Sequence, residues 1–150
     1  MLLAKVNRTD SERMYRTVLN VEGATITTGK PVSISPTAAS LDGVSAVIAN
    51  GAADYKGFIG FAIRDIPNND YGLVQVNGLV ASVLVSHEGT SITVTAGDLV
   101  IPNAVGVSSV GAAAIFSGNG ALLYNFRAVQ AVDSATISAA AYVRGLIRML

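Results

Sequence analysis

Between residues 58 and 100 the chain alternates short apolar runs with turn residues. Phe58, Gly60, Ala62 and Arg64 alternate with Ile59, Phe61, Ile63 and Asp65. Both faces of this run are apolar until its polar end, which predicts a strand covered on two sides. Pro67-Asn68-Asn69-Asp70-Tyr71-Gly72 stops it, because proline lacks a donor while Asn, Asp and Gly tolerate turn geometries. The chain returns through Leu73-Val74-Gln75-Val76-Asn77, with Gln75 and Asn77 on one face and Val74 and Val76 on the other. Gly78 interrupts the pattern, as at a bulge or a close backbone approach. Residues 79–85 continue it, His87-Glu88-Gly89 turns, and residues 90–95 alternate again.

The flanking segments repeat this pattern. Residues 24–28 and 32–35 read as strands about the turn Gly29-Lys30-Pro31. Ile26-Thr27-Thr28-Gly29-Lys30-Pro31-Val32 parallels Val94-Thr95-Ala96-Gly97-Asp98-Leu99-Val100, each a strand, a glycine turn and a second strand. Val44 opens an apolar run to Ala49, and residues 99–101 form another before Pro102-Asn103. Residues 105–116 are rich in Gly, Ala and Ser, and residues 122–132 alternate as a strand. At the C-terminus Tyr142, Arg144, Leu146 and Arg148 alternate with Val143, Gly145, Ile147 and Met149. The first 22 residues carry two open readings. Thr9 with Glu12 has capping-box form, giving a short helix over residues 10–19. Alternatively, Thr17, Leu19 and Val21 alternate with Val18, Asn20 and Glu22 as an extended arm.

About ten short strands at close spacing predict a mainly β fold, a compact barrel or sandwich of β-tulip or jelly-roll type. An N-terminal arm or short helix (residues 1–22) precedes a β-domain (23–150). At 150 residues the chain has one domain's length.

Composition narrows the function. Only 13% of residues are charged, against roughly 25% in an average soluble domain; low charge fits a chain that buries surface in partners. The formal net charge of zero argues against nucleic acid as a direct ligand. Without cysteine, disulfides and thiol chemistry are excluded. Met1-Leu2-Leu3-Ala4 runs at once into Lys5 and Arg8, unlike a secretory signal. The uncharged residues 99–126 are broken by Pro102, Asn103 and Gly118-Asn119-Gly120, so turns between buried strands are expected, and no membrane span.

No constellation for catalysis or cofactor binding stands out, and the chain reads as a non-enzyme with no cofactor. His87 is the one histidine and sits with Glu88 in a hairpin turn, which leaves zinc without ligands. Asp65, Asn68, Asn69 and Asp70 make an oxygen-rich turn without calcium-loop spacing. The glycines of 57–60 and 118–120 lack the following helix of a phosphate loop.

The succession Gly23-Ala24-Thr25-Ile26, Gly29-Lys30-Pro31-Val32, Phe58-Ile59-Gly60-Phe61-Ala62, Gly72-Leu73-Val74-Gln75-Val76-Asn77-Gly78-Leu79-Val80 and Val94-Thr95-Ala96-Gly97-Asp98-Leu99-Val100 resembles the head decoration (cement) proteins of tailed bacteriophages. The likeness covers residues 23–100 and consists of fold residues. It implies a structural virion protein, made in the host cytoplasm and placed on the capsid exterior. Its implied partners are the major capsid protein and itself, as a homotrimer that gains avidity from three attachment points. On that reading Lys5, Arg8, Arg13 and Arg16 form a capsid-binding arm, removable through Arg16 without unfolding the body. Two other classes fit the same residues. One is a different trimeric virion part, such as a head-fibre base or tail component. The other is a non-catalytic cellular β-barrel with a pocket between Tyr55, Tyr71, Tyr124 and Tyr142.

Overall fold

A computed structural model describes residues 12–35, 43–49, 57–86, 92–96, 99–102, 110–112, 127–131, 135–137 and 140–149. The fold is mainly β, with no helix among the described residues and a closed five-stranded barrel. The strands are β1 (Met14–Asn20), β2 (Pro31–Ile34), β3 (Ser45–Ile48), β4 (Phe58–Ala62), β5 (Tyr71–Ser86) and β6 (Ile92–Val94). They continue with β7 (Leu99–Pro102), β8 (Val110–Ala112), β9 (Arg127–Ala131), β10 (Ala135–Ile137) and β11 (Ala140–Met149). Between the helix and the extended readings of the first segment, residues 14–20 are extended.

Hydrogen-bonded neighbours run β1-β3-β2-β4-β5-β11-β9-β7-β8, and β1 also pairs with β5. That last pairing closes β1-β3-β2-β4-β5 into the barrel. Closure matters because an open edge leaves backbone donors and acceptors without partners. Only β1 and β3 run parallel in this ring; its other pairs are antiparallel. The remaining strands, β11, β9, β7 and β8, continue from the far half of β5 and return to it at a single pair, Val85 with Val110. β6 and β10 form a separate two-stranded ribbon.

β-Branched residues dominate the barrel interior, where their stiff side chains pack well on pleated surfaces. Val18, Ile26, Val32, Ile48, Ile59, Ile66, Val74 and Val76 form one buried cluster with Ala46 and Ala62. Every residue of β4 is buried, as its doubly apolar pattern requires. Phe58 and Phe61 meet edge to face at 5.4 Å between ring centres, a favoured aromatic geometry. Along β11 the alternation also holds: Val143, Gly145 and Ile147 are buried, Tyr142 and Arg144 exposed.

β5 is the long element, at 16 residues. Its first part pairs with β1 from Tyr71 to Asn77 and with β4 at Val74 and Gln75. Its second part pairs with β11 from Gly78 to Ser86. A straight strand of this length would span about 53 Å at roughly 3.3 Å per residue. Register shifts curl it instead. Met14 and Tyr15 of β1 oppose Asn77 and Gln75, leaving Val76 extra; Val143 and Gly145 of β11 oppose Val83 and Val80, leaving Ala81 and Ser82 against Arg144. Such bulges bend a strand and increase its twist. The bend brings Leu84 back to the Gly29 turn, where Leu84 N–H donates to Gly29 O at 3.0 Å.

Gly78 sits between the two bulges with φ at +89°. A Cβ there would lie 2.0 Å from the Glu12 carbonyl oxygen, so the interruption marks a close approach of two backbones. Gly60 of β4 is similar: its Cβ would meet the Gln75 carbonyl oxygen at 2.0 Å. Gly78→Ala should therefore lose roughly 2–5 kcal/mol, from the left-handed backbone and the overpacked contact together. Denaturant unfolding of the variant checks this; a loss below about 1 kcal/mol would contradict the close approach.

Candidate functional site

The functional candidates gather where β1 crosses the bend of β5. Tyr15, Thr17 and Leu19 lie opposite Gln75, Leu73 and Tyr71 on the barrel's outer side. Tyr15, Leu73 and Tyr71 remain 47%, 45% and 63% exposed, a grouping of large apolar side chains in solvent. Arg13 precedes them at the start of β1, and Arg16, two residues before buried Val18, lies on the strand's other face; both are exposed. The Arg16 guanidinium Nη2 donates to the Gly43 carbonyl oxygen. Lys5 and Arg8 lie outside the described residues, as do His87, Tyr55 and Tyr124. The structure thus places two of the four candidate cations on one strand end. Met14, Tyr15 and Arg16 pair with β5, so a deletion reaching Arg16 removes part of a barrel strand.

Tyr71 and Tyr142 are not neighbours in register. Tyr71 opposes Leu19 at the start of β5, and Tyr142 opposes Leu84 near its end.

On the concave side of the bend lies a hollow of about 170 Å³. Gln75 lines it before the bend and Ser82 after it, with Arg13, Tyr15, Thr28 and Ile63 around. Gln75 is only 3% exposed. Its Nε2 donates to the carbonyl oxygens of Asn77 at 3.1 Å and Leu79 at 2.9 Å. A buried amide needs such partners, and these two hold the curled backbone together.

The oxygen-rich turn is built for the backbone. Asp70 N–H donates to Pro67 O at 3.2 Å, and Asn69 has φ at +59°. That is a conformation Asn tolerates at the third turn position. Asn68 Oδ1 accepts from Gly23 N–H at 2.9 Å, and Asp70 Oδ1 from Tyr71 N–H at 2.7 Å. Asp65 Oδ1 accepts from Thr28 N–H at 2.7 Å and from the Thr28 hydroxyl at 2.9 Å. The backbone donor first, and the hydroxyl second, hold the Asp65 carboxyl below its ordinary pKa. Among the described residues no three His, Cys, Asp or Glu side chains converge on a point.

Asn20 has no exposed surface. Its Nδ2 donates to Ala24 O and Ile66 O, both at 2.8 Å, and its Oδ1 accepts from Glu22 N–H at 2.9 Å. Its backbone N–H donates to Asp70 O at 3.0 Å, and its carbonyl accepts from Asn69 N–H at 2.9 Å. One side chain therefore ties the end of β1 to the Ile26–Ile66 bridge, where the two residues exchange N–H···O bonds of 3.0 and 2.9 Å. Sequence reading passed over Asn20 and Gln75. The signal available was a polar residue flanked by strand formers, in Leu19-Asn20-Val21 and Val74-Gln75-Val76.

No protein-family model and no curated protein sequence matches the chain.

Two outcomes follow for this region. Asn20→Ala strands the Ala24 carbonyl and the Glu22 N–H, while the Ile66 carbonyl keeps its bond from Ile26 N–H; at roughly 1–3 kcal/mol for each group left unsatisfied, a total loss above about 2 kcal/mol in denaturant unfolding is expected. For Asp65 the folded pKa lies below the unfolded value of about 3.9. Its contribution is therefore complete above that pH and is lost as pH falls through the folded pKa. Thermal unfolding should place Asp65→Asn below the parent at pH 7, with the gap closing below about pH 4. A gap that persists unchanged at pH 2 to 3 would show that the charge is not its source.

Proposed function

We propose that the protein is a structural component of a virion, decorating the outer surface of a tailed-phage head and bracing neighbouring capsomers against packed DNA. Its partners on this reading are the major capsid protein and further copies of itself in a trimer. The observation that carries the proposal is the outer side of β1 and β5. There Tyr15, Tyr71 and Leu73 stand exposed with Arg13 at the head of the strand, while the exposed Arg16 alternates to the other face of β1. Aromatic residues and arginine are the types enriched where protein interfaces concentrate binding energy. The low charge of the chain and the resemblance of residues 23–100 to head decoration proteins support the same reading.

The physical logic is that of a rigid clamp. A closed barrel has no free edge and resists deformation. Several copies held together multiply weak contacts through effective concentration. Exposed cations can steer the barrel onto an acidic shell surface and set its register.

Quantitative mass spectrometry of purified native particles tests the proposal. A copy ratio to the most abundant shell protein between one to one and one to a few is expected. A few copies per particle would move the chain to a fibre or tail, and absence from particles would end the virion reading. In a decoration assay, Arg13→Glu with Arg16→Glu should weaken attachment at least about tenfold, equivalent to about 1.4 kcal/mol. Unchanged occupancy at physiological salt would remove these cations from the contact.

A further inference from the structure

We propose that the hollow inside the bend of β5 is a binding site for a small carboxylate that carries an N–H or O–H donor beside it. This inference rests on the geometry of the hollow and is independent of the virion reading. The amide of Gln75 carries the argument. Both of its N–H groups are committed, to Asn77 O and Leu79 O. Flipping the amide would set its oxygen against those two carbonyl oxygens, so its orientation is fixed. Its Oε1 accepts no hydrogen bond from the described residues, although the side chain is only 3% exposed. A buried acceptor without a donor is costly, and a ligand seated in the hollow would supply that donor.

The other groups around the hollow set the chemistry of that partner. Arg13 is exposed and supplies a fixed positive charge with several donors in a fork suited to a carboxylate. Tyr15 and Ser82 add hydroxyls. The Thr28 hydroxyl already donates to Asp65 and can only accept. Donors thus outnumber acceptors, so the complementary ligand is rich in acceptors and brings one donor for Gln75. A carboxylate with an adjacent amide N–H meets both demands, as in an acylated amino acid or the last residue of a peptide chain. At about 170 Å³ the hollow admits one such group. A cavity of about 150 Å³ holds benzene, whereas drug-sized ligands occupy roughly 300–1,000 Å³.

The test is a nuclear magnetic resonance titration of the full chain with N-acetylglycine, N-acetylglycinamide and acetate. N-acetylglycine should shift the Gln75 side-chain amide and the backbone amides of Arg13 and Ser82. The amide, which lacks the charge, and acetate, which lacks the donor, should each bind about tenfold more weakly. Arg13→Gln, a change at an exposed position, should keep the parent spectrum and weaken N-acetylglycine about tenfold. Equal binding of acid and amide, unchanged affinity in Arg13→Gln, or no shift at about 10 mM ligand would overturn the assignment. Titration with a free-ended tripeptide separates the sources. Tighter binding than N-acetylglycine points to chain termini and weaker binding to free acylated amino acids, and either supports the site.

Discussion

Everything described here depends on one strand serving two sets of partners. The first half of β5 closes the barrel through β1, and the second half carries β11 and the strands beyond it. A single continuous strand can do this only if it bends, because its two halves face different neighbours. The bend is made by extra residues at Val76 and at Ala81-Ser82, with Gly78 between them. Gly78 is a tight constraint on the bend, since a side chain there would lie against the Glu12 carbonyl oxygen. Gln75 then fastens the curled segment from within, bonding forward to Asn77 and Leu79.

The same bend generates the surface features. It leaves the hollow on its concave side, and the antiparallel register sets Leu73 against Thr17 and Tyr71 against Leu19. Barrel closure, the outer apolar grouping and the polar hollow are thus consequences of one backbone path. The turns at the barrel's end follow a different rule. There Asn20, Asn68 and Asp70 place side-chain oxygen and nitrogen on backbone groups that strands do not reach. These short polar residues do the work that ladder hydrogen bonds do elsewhere.

Much of the fold was legible because periodicity reports burial directly. The doubly apolar run at Phe58–Ala62 is buried throughout, and the alternation of Val143, Gly145 and Ile147 matches the buried face of β11. The interruption at Gly78 was legible too, as was the continuation of the pattern through residues 79–85. Strand pairing was beyond reach, since nothing local distinguishes β1 beside β3 from β1 beside β2. The first segment was ambiguous for a related reason. Its buried face carries Val18 and Asn20 while Leu19 is half-buried and Val21 exposed, so hydropathy alone points no way. Asn20 and Gln75 are buried because the backbone around them needs partners, a demand that appears only once the chain is folded. For the candidate site, Arg13 and Arg16 were singled out by charge, but the grouping of Tyr15 with Leu73 and Tyr71 on one face comes from register.

Hydrogen exchange resolved along β5 tests the central claim, that one bent strand unites the barrel with the strands that follow. If it does, the hydrogen-bonded amides between Gly72 and Asn77 and those between Leu79 and Val85 open together, with similar protection and the same denaturant dependence. Protected amides before Gly78 alongside rapidly exchanging ones after it would contradict the account. They would show that the barrel stands without the second half of the strand.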